Sequence, residues 1–581
     1  MQNFLKLTLA TITGIVITSI VGILLMFGIL GAITSSSTAP VKITSPSIYV
    51  LELKGQLVDR SEDDPFSGIF ASAFGQDVLS PIGLDDVLLN IKKAKNDSLV
   101  KGIYLKGGML MGGFASLKEI RNALLDFKSS GKFIVAYADT YVQSNYYLAS
   151  VADKVLLNPH GMVDFRGISS ELMFFKNTLE KLGVDMQVVK VGTYKSAVEP
   201  FIETQMSTEN REQITAYTQS VWQSVLDDIA ASRHISIEKL NQYADEMMAL
   251  QPVDKLLEYN LIDSLVYANE ADSVLNSLVL DYKILTHNAM NKVVDPTRFS
   301  KDKVAVIYAV GAIDDTSGKG IVSEKLVKTI NEVAKDKMVK SVVLRVSSPG
   351  GSAYGSEQIW HALTNLKKVK PLIVSMGDYA ASGGYYIATP ADTIVAQPNT
   401  ITGSIGIFGL IPNISGLNKK IGLSYDVVKT NKMSDALSLN RPLRSEERAL
   451  MQGYVDRGYE LFVKRCADGR SKSTDEIKAI AEGRVWTGEE AYHLGLVDVL
   501  AGLEEAIVIA ADKAGLDDFN IKEFPAKEDF QTRLLKSFGE KTESRLMKLR
   551  FGEYYRLLQT VEQLQYQHGI QARLPYELKM Y

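Results

Sequence analysis

Two stretches of this 581-residue chain carry the same text at one constant offset. Asp139–Asp153 reads DTYVQSNYYLASVAD and Asp378–Asp392 reads DYAASGGYYIATPAD, 239 positions later, with six of fifteen positions identical. Val188-Val189-Lys190 falls on Val427-Val428-Lys429 at the same offset. The register holds without insertion from about Val87 to Lys195, which chance similarity does not maintain. A chain of this length exceeds a single core, and the repeat says how it divides: into two copies of one folding unit.

Within each copy, strand-like apolar runs alternate with helical periods. Ser47–Leu53 (SIYVLEL), ending at Gly55, and Lys303–Val310 (KVAVIYAV), ending at Gly311, each read as an opening strand. Leu326–Ala334 has helical spacing and matches Val87–Lys95. Val342–Val346 and Ile373–Met376 are buried-strand runs matching Ile103–Gly107 and Ile134–Tyr137. Strands separated by helices predict βαβ units and a mostly parallel sheet, an α/β fold of two tandem repeats over 47–280 and 303–529. Leu280–Asp302, with Asp295-Pro296-Thr297, reads as the link between them. From 530 to 581 the text is helical and of mixed charge; Lys536, Lys541, Arg545, Lys548 and Arg550 offer a basic face, more simply a solvated one. Phe66, Ile69, Phe70 and Phe74 form an apolar cluster in an early loop.

The N-terminus predicts a membrane anchor. Leu7 to Ile33 holds no charged residue, and as a helix it would be about 40 Å long, enough for a ~30 Å hydrocarbon core. It exceeds the apolar region of a cleaved signal peptide, and no convincing A-x-A site follows. Lys6 favours an arrangement with residues 1–6 cytoplasmic and the rest on the outer, periplasmic side of the cell inner membrane.

Composition removes several kinds of chemistry. A net charge of −4 gives no reason to expect nucleic acid. The lone cysteine, Cys466, rules out a disulfide framework and reads as a small buried hydrophobe. The six histidines show no HExxH or other ligand spacing, which argues against a metal enzyme and against a serine–histidine triad. No metal and no cofactor are expected.

The repeats differ where chemistry would lie. Opposite Gln143 the second copy has Ser382, between Ala381 and Gly383-Gly384; opposite Ser434 the first copy has Lys195, in GTYKSA. One copy has kept a lysine and the other a serine, which predicts a single site requiring both halves. A serine hydroxyl needs a base, and a lysine serves if burial or nearby positive charge makes it neutral. Ser347–Ser352 (SSPGGS), directly after the strand VVLRV, places Gly350 and Gly351 at a strand–helix junction. One of their N–H groups, with that of Gly383, would hold an oxyanion.

The blocks SSPGGS, DYAASGGYYIA, TITGSIGIFG and VGTYKSAVEPF resemble signal peptide peptidase A in its long, membrane-anchored, duplicated form, over nearly the whole chain. The resemblance implies a relative of the Clp protease and crotonase folds with a serine/lysine dyad. Ser382 matches its nucleophile, Lys195 its general base, Ser404 the hydroxyl that orients the lysine, and Gly350 or Gly351 with Gly383 the oxyanion donors. It further implies a homotetramer that degrades hydrophobic peptides, notably released signal peptides, with the dyad more simply formed within one chain. Two alternatives stay open at this point: a crotonase-like acyl-CoA enzyme and a non-catalytic membrane scaffold.

Overall fold

The computed structural model describes residues 40–61, 81–294, 300–314, 320–527 and 569–573, together with helical pieces between residues 6 and 22. Among the described residues no helix is long and apolar enough to cross a membrane. Much of the expected anchor over 7–33 lies outside them, as do the early apolar cluster (Phe66 to Phe74), Asp295-Pro296-Thr297 and the five basic residues expected on the tail.

The first repeat is a parallel sheet with strands β1 (Ser47–Val58), β2 (Val100–Met111), β3 (Phe133–Tyr141) and β4 (Lys154–Val163) side by side in chain order. Helices α1 (Leu84–Asn96), α2 (Phe114–Lys128) and α3 (Gln143–Ala149) make the crossovers. β5 (Asp185–Val191) and the long helix α4 (Thr208–Arg233), capped by the Ser207 hydroxyl, follow. The second repeat repeats the plan. Its strands are β7 (Lys303–Val310), β8 (Val339–Ser348), β10 (Leu372–Ala381) and β11 (Thr393–Ala396), again parallel neighbours in chain order. Its helices are α5 (Ser323–Lys335), α6 (Ala353–Lys367), α7 (Gly383–Ala388) and α8 (Ser445–Arg470). The predicted α/β class and the duplication hold.

Two expectations need correction. The first strand does not end at Gly55: β1 runs through it to Val58, because Gly55 adopts φ 97° and absorbs a register shift against β2. Leu280–Asp302 is not simply a link. It contains β6 (Lys283–Thr286), which pairs with β1 as β13 (Asn520–Phe524) pairs with β7. A following short helix puts His287 Nδ1 2.7 Å from the Tyr49 hydroxyl. This segment completes the first repeat, since an edge strand left bare would expose its backbone groups.

A third sheet joins the halves. It contains β9 (Gly350–Ser352), β14 (Gly569–Arg573), β12 (Ile407–Asn413) and β5, in that order. β5 comes from the first repeat, β9 and β12 from the second, and β14 from the tail; the only described part of the expected helical extension beyond residue 530 is therefore a strand. Buried ions clamp the same junction. Arg345, inside the apolar run Val342–Val346 of β8, reaches Asp59 Oδ1 at 2.8 Å and Glu119 Oε1 at 2.7 Å in the first repeat. Burial disfavours its cation, but the two carboxylates outweigh burial and raise its pKa. Asp378 accepts from the Ser116 backbone N–H at 2.9 Å and hydroxyl at 2.8 Å. Burial first, and Asp59 second, push its carboxyl up to about 6.

Candidate active site

Ser382 stands at the turn from β10 into α7, with φ 55° and ψ −114°. A non-glycine residue in that region costs about 1–3 kcal/mol and is kept where the surroundings enforce it. Here the enforcement is local: Ser382 N–H donates to Gly403 O at 2.8 Å, and Ala381, Gly383 and Gly384 leave no bulk beside the hydroxyl. A Cβ at Gly384 would sit 3.3 Å from Ser348 Cβ and still closer to the Ser348 carbonyl oxygen, so α7 approaches β8 only with glycine there.

Lys195 arrives from the other repeat. β5 pairs antiparallel with β12, Val191 opposite Ile407, so the residues after β5 are delivered to the second repeat's glycine turns. Tyr194 N–H donates to Glu482 O at 2.9 Å, and Gly483 (φ 78°) lies so close that a Cβ there would come within 2.7 Å of Lys195 Cβ. From the back, Gln213 Nε2 on α4 donates to Tyr194 O (3.1 Å) and Ser196 Oγ (3.0 Å).

The two halves meet at Lys195 and Ser382. Lys195 Nζ lies 2.7 Å from Ser382 Oγ, 2.9 Å from Ser404 Oγ and 3.1 Å from Ser404 O. None of these partners is a carboxylate. Lys195 is 1% exposed, and burial alone lowers its pKa from 10.5 to about 7. A buried ammonium without a counter-ion is unfavourable, so the amine gives up its proton near neutrality. Ser404 keeps φ 51° and donates its own N–H to Arg484 O at 2.7 Å, which aims its hydroxyl at the lysine. The contact is made within one chain.

The glycines stand beside the serine. Gly350 and Gly351 have φ 96° and 156°, and a Cβ on Gly350 would lie 2.8 Å from the Gly383 nitrogen. Glycine at 350 thus leaves open the space that the Gly383 N–H faces. The Gly350 N–H is directed to Ser348 Oγ at 3.2 Å, which favours Gly351 as the second donor. All six residues singled out in the sequence converge on one small, buried region. The reading of the sequence missed the Glu482–Gly483 turn and Gln213, which hold Lys195, and β14, which lies between β9 and β12. Arg345 did carry a signal, as a lone cation inside VVLRV.

In the other repeat the equivalent place is plugged. Gln143 Oε1 accepts from the Arg166 and Gly167 N–H groups, both at 3.0 Å, and Nε2 donates to Gly167 O at 3.1 Å. That amide fills, with its own hydrogen bonds, the position where Ser382 presents a hydroxyl.

Comparison with known proteins identifies the family. Peptidase family S49 matches twice, over residues 126–280 and 364–517. Protease 4 of Salmonella typhi is 35% identical over 82% of this chain and 80% of its own length. Protease 4 of Haemophilus influenzae is 33% identical over 87% and 86%. The chloroplastic serine protease SPPA of Arabidopsis thaliana is 31% identical over 82% and 70%. Among solved structures, a ClpP1 mutant from Listeria monocytogenes aligns with 35% of this chain and 94% of its own, at 14% identity and a TM-score of 0.25. The acyl-CoA and scaffold alternatives give way to these peptidase matches. With its family matched in both repeats, the chain belongs to peptidase family S49 and is a serine endopeptidase of the signal peptide peptidase A group.

Proposed function

We propose that the chain is a membrane-anchored endopeptidase that degrades hydrophobic peptides, notably signal peptides already released by signal peptidase, with a Ser382–Lys195 dyad on a Clp protease/crotonase-like repeat. The observation that carries this reading is the 2.7 Å contact between Lys195 Nζ and Ser382 Oγ, made by a buried lysine whose pKa falls to about 7. Neutral Lys195 accepts the Ser382 proton as Oγ attacks the substrate carbonyl. The Gly383 N–H and a partner from Gly351 or Gly350 take the charge on the oxygen. Lys195 then gives its proton to the leaving amine, activates a water, and the acyl-enzyme is hydrolysed. Ser404 keeps the amine in line and accepts one of its hydrogens.

Residues 7–33 would anchor the chain in the cell inner membrane, with the catalytic part on the periplasmic side. A released signal peptide stays in the bilayer, so an anchored enzyme meets its substrate there. Strand complementarity between copies supports the homotetramer. Residues 168–174, the counterpart of β12, and 424–430, the counterpart of β5, are not in strands. Met173 is 71% and Val428 98% exposed. Carrying the β12–β5 register across by 239 sets Glu171 of one copy opposite Val427 of the next. Such head-to-tail contacts form a closed ring where the rotation between copies closes.

The test is hydrolysis of a hydrophobic fluorogenic peptide by the full-length protein in detergent, comparing wild type with Ser382→Ala and Lys195→Ala. Loss in both is expected. A Lys195→Ala protein that kept its rate would remove the lysine from the mechanism.

A further inference from the structure

The residue after the Glu482–Gly483 turn has a side chain that the proposed chemistry does not use. The guanidinium carbon of Arg484 lies 4.8 Å from the centroid of the Tyr194 ring and 4.6 Å from that of Trp486. Tyr194 immediately precedes the lysine in the first repeat. Trp486 belongs to the second, in the short strand Val485–Thr487, and donates its Nε1–H to Ile480 O at 3.0 Å. One cation thus joins aromatic faces from the two repeats, a role suited to the flat, weakly hydrated guanidinium and less to an ammonium. Arg484 Nη1 also donates to the Tyr194 hydroxyl at 3.2 Å.

Three pieces of the site meet at this residue. Its backbone carbonyl accepts the Ser404 N–H at 2.7 Å. The next N–H, of Val485, donates to Gln213 Oε1 at 3.2 Å, while Nε2 of the same amide donates to Tyr194 O. Val485 stands opposite Gly403 in an antiparallel pair, and Gly403 stands opposite Ala381 at the end of β10, next to Ser382. Tyr194, Arg484 and Trp486 are half-buried and Lys195 is buried, so the stacked side chains lie at the margin between the amine and solvent. Hydrogen bonds at that margin can be exchanged for bonds to water, whereas stacked rings exclude it. An ion pair, Arg484 Nη1 to Glu212 Oε1 at 3.2 Å, adds little, because Glu212 is half exposed.

We propose that Arg484 is a positioning residue for peptide hydrolysis: packed against Tyr194 and Trp486, its guanidinium holds the Glu482–Gly483 turn shut over Lys195 and keeps water from the amine. The inference rests on the serine/lysine reading. Lys195 has no carboxylate partner, and burial alone brings its pKa down to about 7. Whatever admits water therefore restores the ammonium and removes the base at neutral pH. Loss of the stack should act through that equilibrium. The midpoint of the pH–rate profile moves up, and the rate returns once the pH exceeds the new midpoint. KM stays as it was, because Arg484 touches Tyr194 and Trp486 rather than the substrate.

The experiment is the pH dependence of kcat/KM for a hydrophobic fluorogenic peptide, from about pH 5.5 to about pH 9.5, on full-length protein in detergent. Arg484→Ala should raise the midpoint by about one unit, so that hydrolysis is about fivefold slower than wild type at neutral pH and nearly equal to it at about pH 9. Arg484→Lys, which keeps the charge and loses the flat face, should fall between the two. Glu212→Gln should keep the wild-type midpoint. Tyr194→Leu removes the stack from its other side and should reproduce the Arg484→Ala profile, which keeps the test open if Arg484→Ala does not fold. A folded Arg484→Ala or Tyr194→Leu enzyme with the wild-type midpoint, whether its rate is unchanged or lowered equally at every pH, overturns the inference and leaves the dyad standing. A Glu212→Gln shift as large as that of Arg484→Ala also overturns it, since the ion pair would then be the tie. A Lys195→Ala enzyme that keeps the wild-type rate overturns the dyad and this inference together.

Discussion

Val188-Val189-Lys190 and Val427-Val428-Lys429 are the same three residues, yet they have opposite fates. The first triplet lies in β5, paired with β12, and Val189 is buried. The second lies outside any strand, with Val427 56% and Val428 98% exposed. Local propensity is identical, so the difference is tertiary: β5 has a partner edge in the other repeat, and its counterpart has none among the described residues. Strand formation here is a property of the junction rather than of the text. The proposed catalytic division follows the same line. The paired copy delivers Lys195 to a serine, while the unpaired copy delivers Ser434 to solvent.

The comparison can be broken most severely at the dyad. Ser382→Ala or Lys195→Ala should lower kcat/KM by roughly 10⁴-fold or more, and the double variant should be little worse than either, because the two act as one unit. Peptide hydrolysis checks this, with circular dichroism confirming the fold. Next is the clamp between repeats. Arg345→Met strands two buried carboxylates and should cost about 3–5 kcal/mol, read as a lowered denaturation midpoint. If stability is unchanged, the halves are held together by β5–β12 pairing and apolar contacts alone.

Acidity sharpens the picture further. Lys195 must be neutral to accept a proton, so activity should climb about tenfold per pH unit up to about 7 and level off above it. The stability sign is separate. Between about 7 and 10.5 the unfolded chain binds a proton that the native lysine does not, so the cost of burying Lys195 is full below 7 and fades as pH rises. Lys195→Met should therefore melt above wild type, the gap narrowing across that window. Ser404→Ala should reduce kcat by roughly one to two orders of magnitude with KM little changed, since it acts through the lysine. The smallest effect on rate is expected from Val428→Asp. A charge on the unpaired segment should dissociate the proposed homotetramer in light scattering, with hydrolysis of a short soluble peptide within about twofold of wild type.

How legible was this from sequence? The alternation of buried strands and helices was, because each element is short and its pattern local. Ser382 and Lys195 were legible because duplication supplies a control: each stands out against its mate. Ser404 was visible only through the family's TGSIG block, since a hydroxyl 209 residues from its lysine in the chain has no pattern of its own. β14 was not legible. Gly-Ile-Gln-Ala-Arg has no strand signature, and its conformation comes from edges more than 150 residues earlier in the chain (Leu410 pairs with Gly569). The extension of β1 past Gly55 and the return of β6 to β1 failed for the same reason, being decided by pairing across long loops.

The junction also bears on timing. Ser382 is made 187 residues after the lysine it needs, and Glu482–Gly483, the turn that closes over Lys195, comes later still. A nascent chain holding both reactive residues but lacking that turn would have a hydrated, charged lysine and so an idle serine. On the proposed mechanism, hydrolysis therefore waits until that turn has docked onto Lys195.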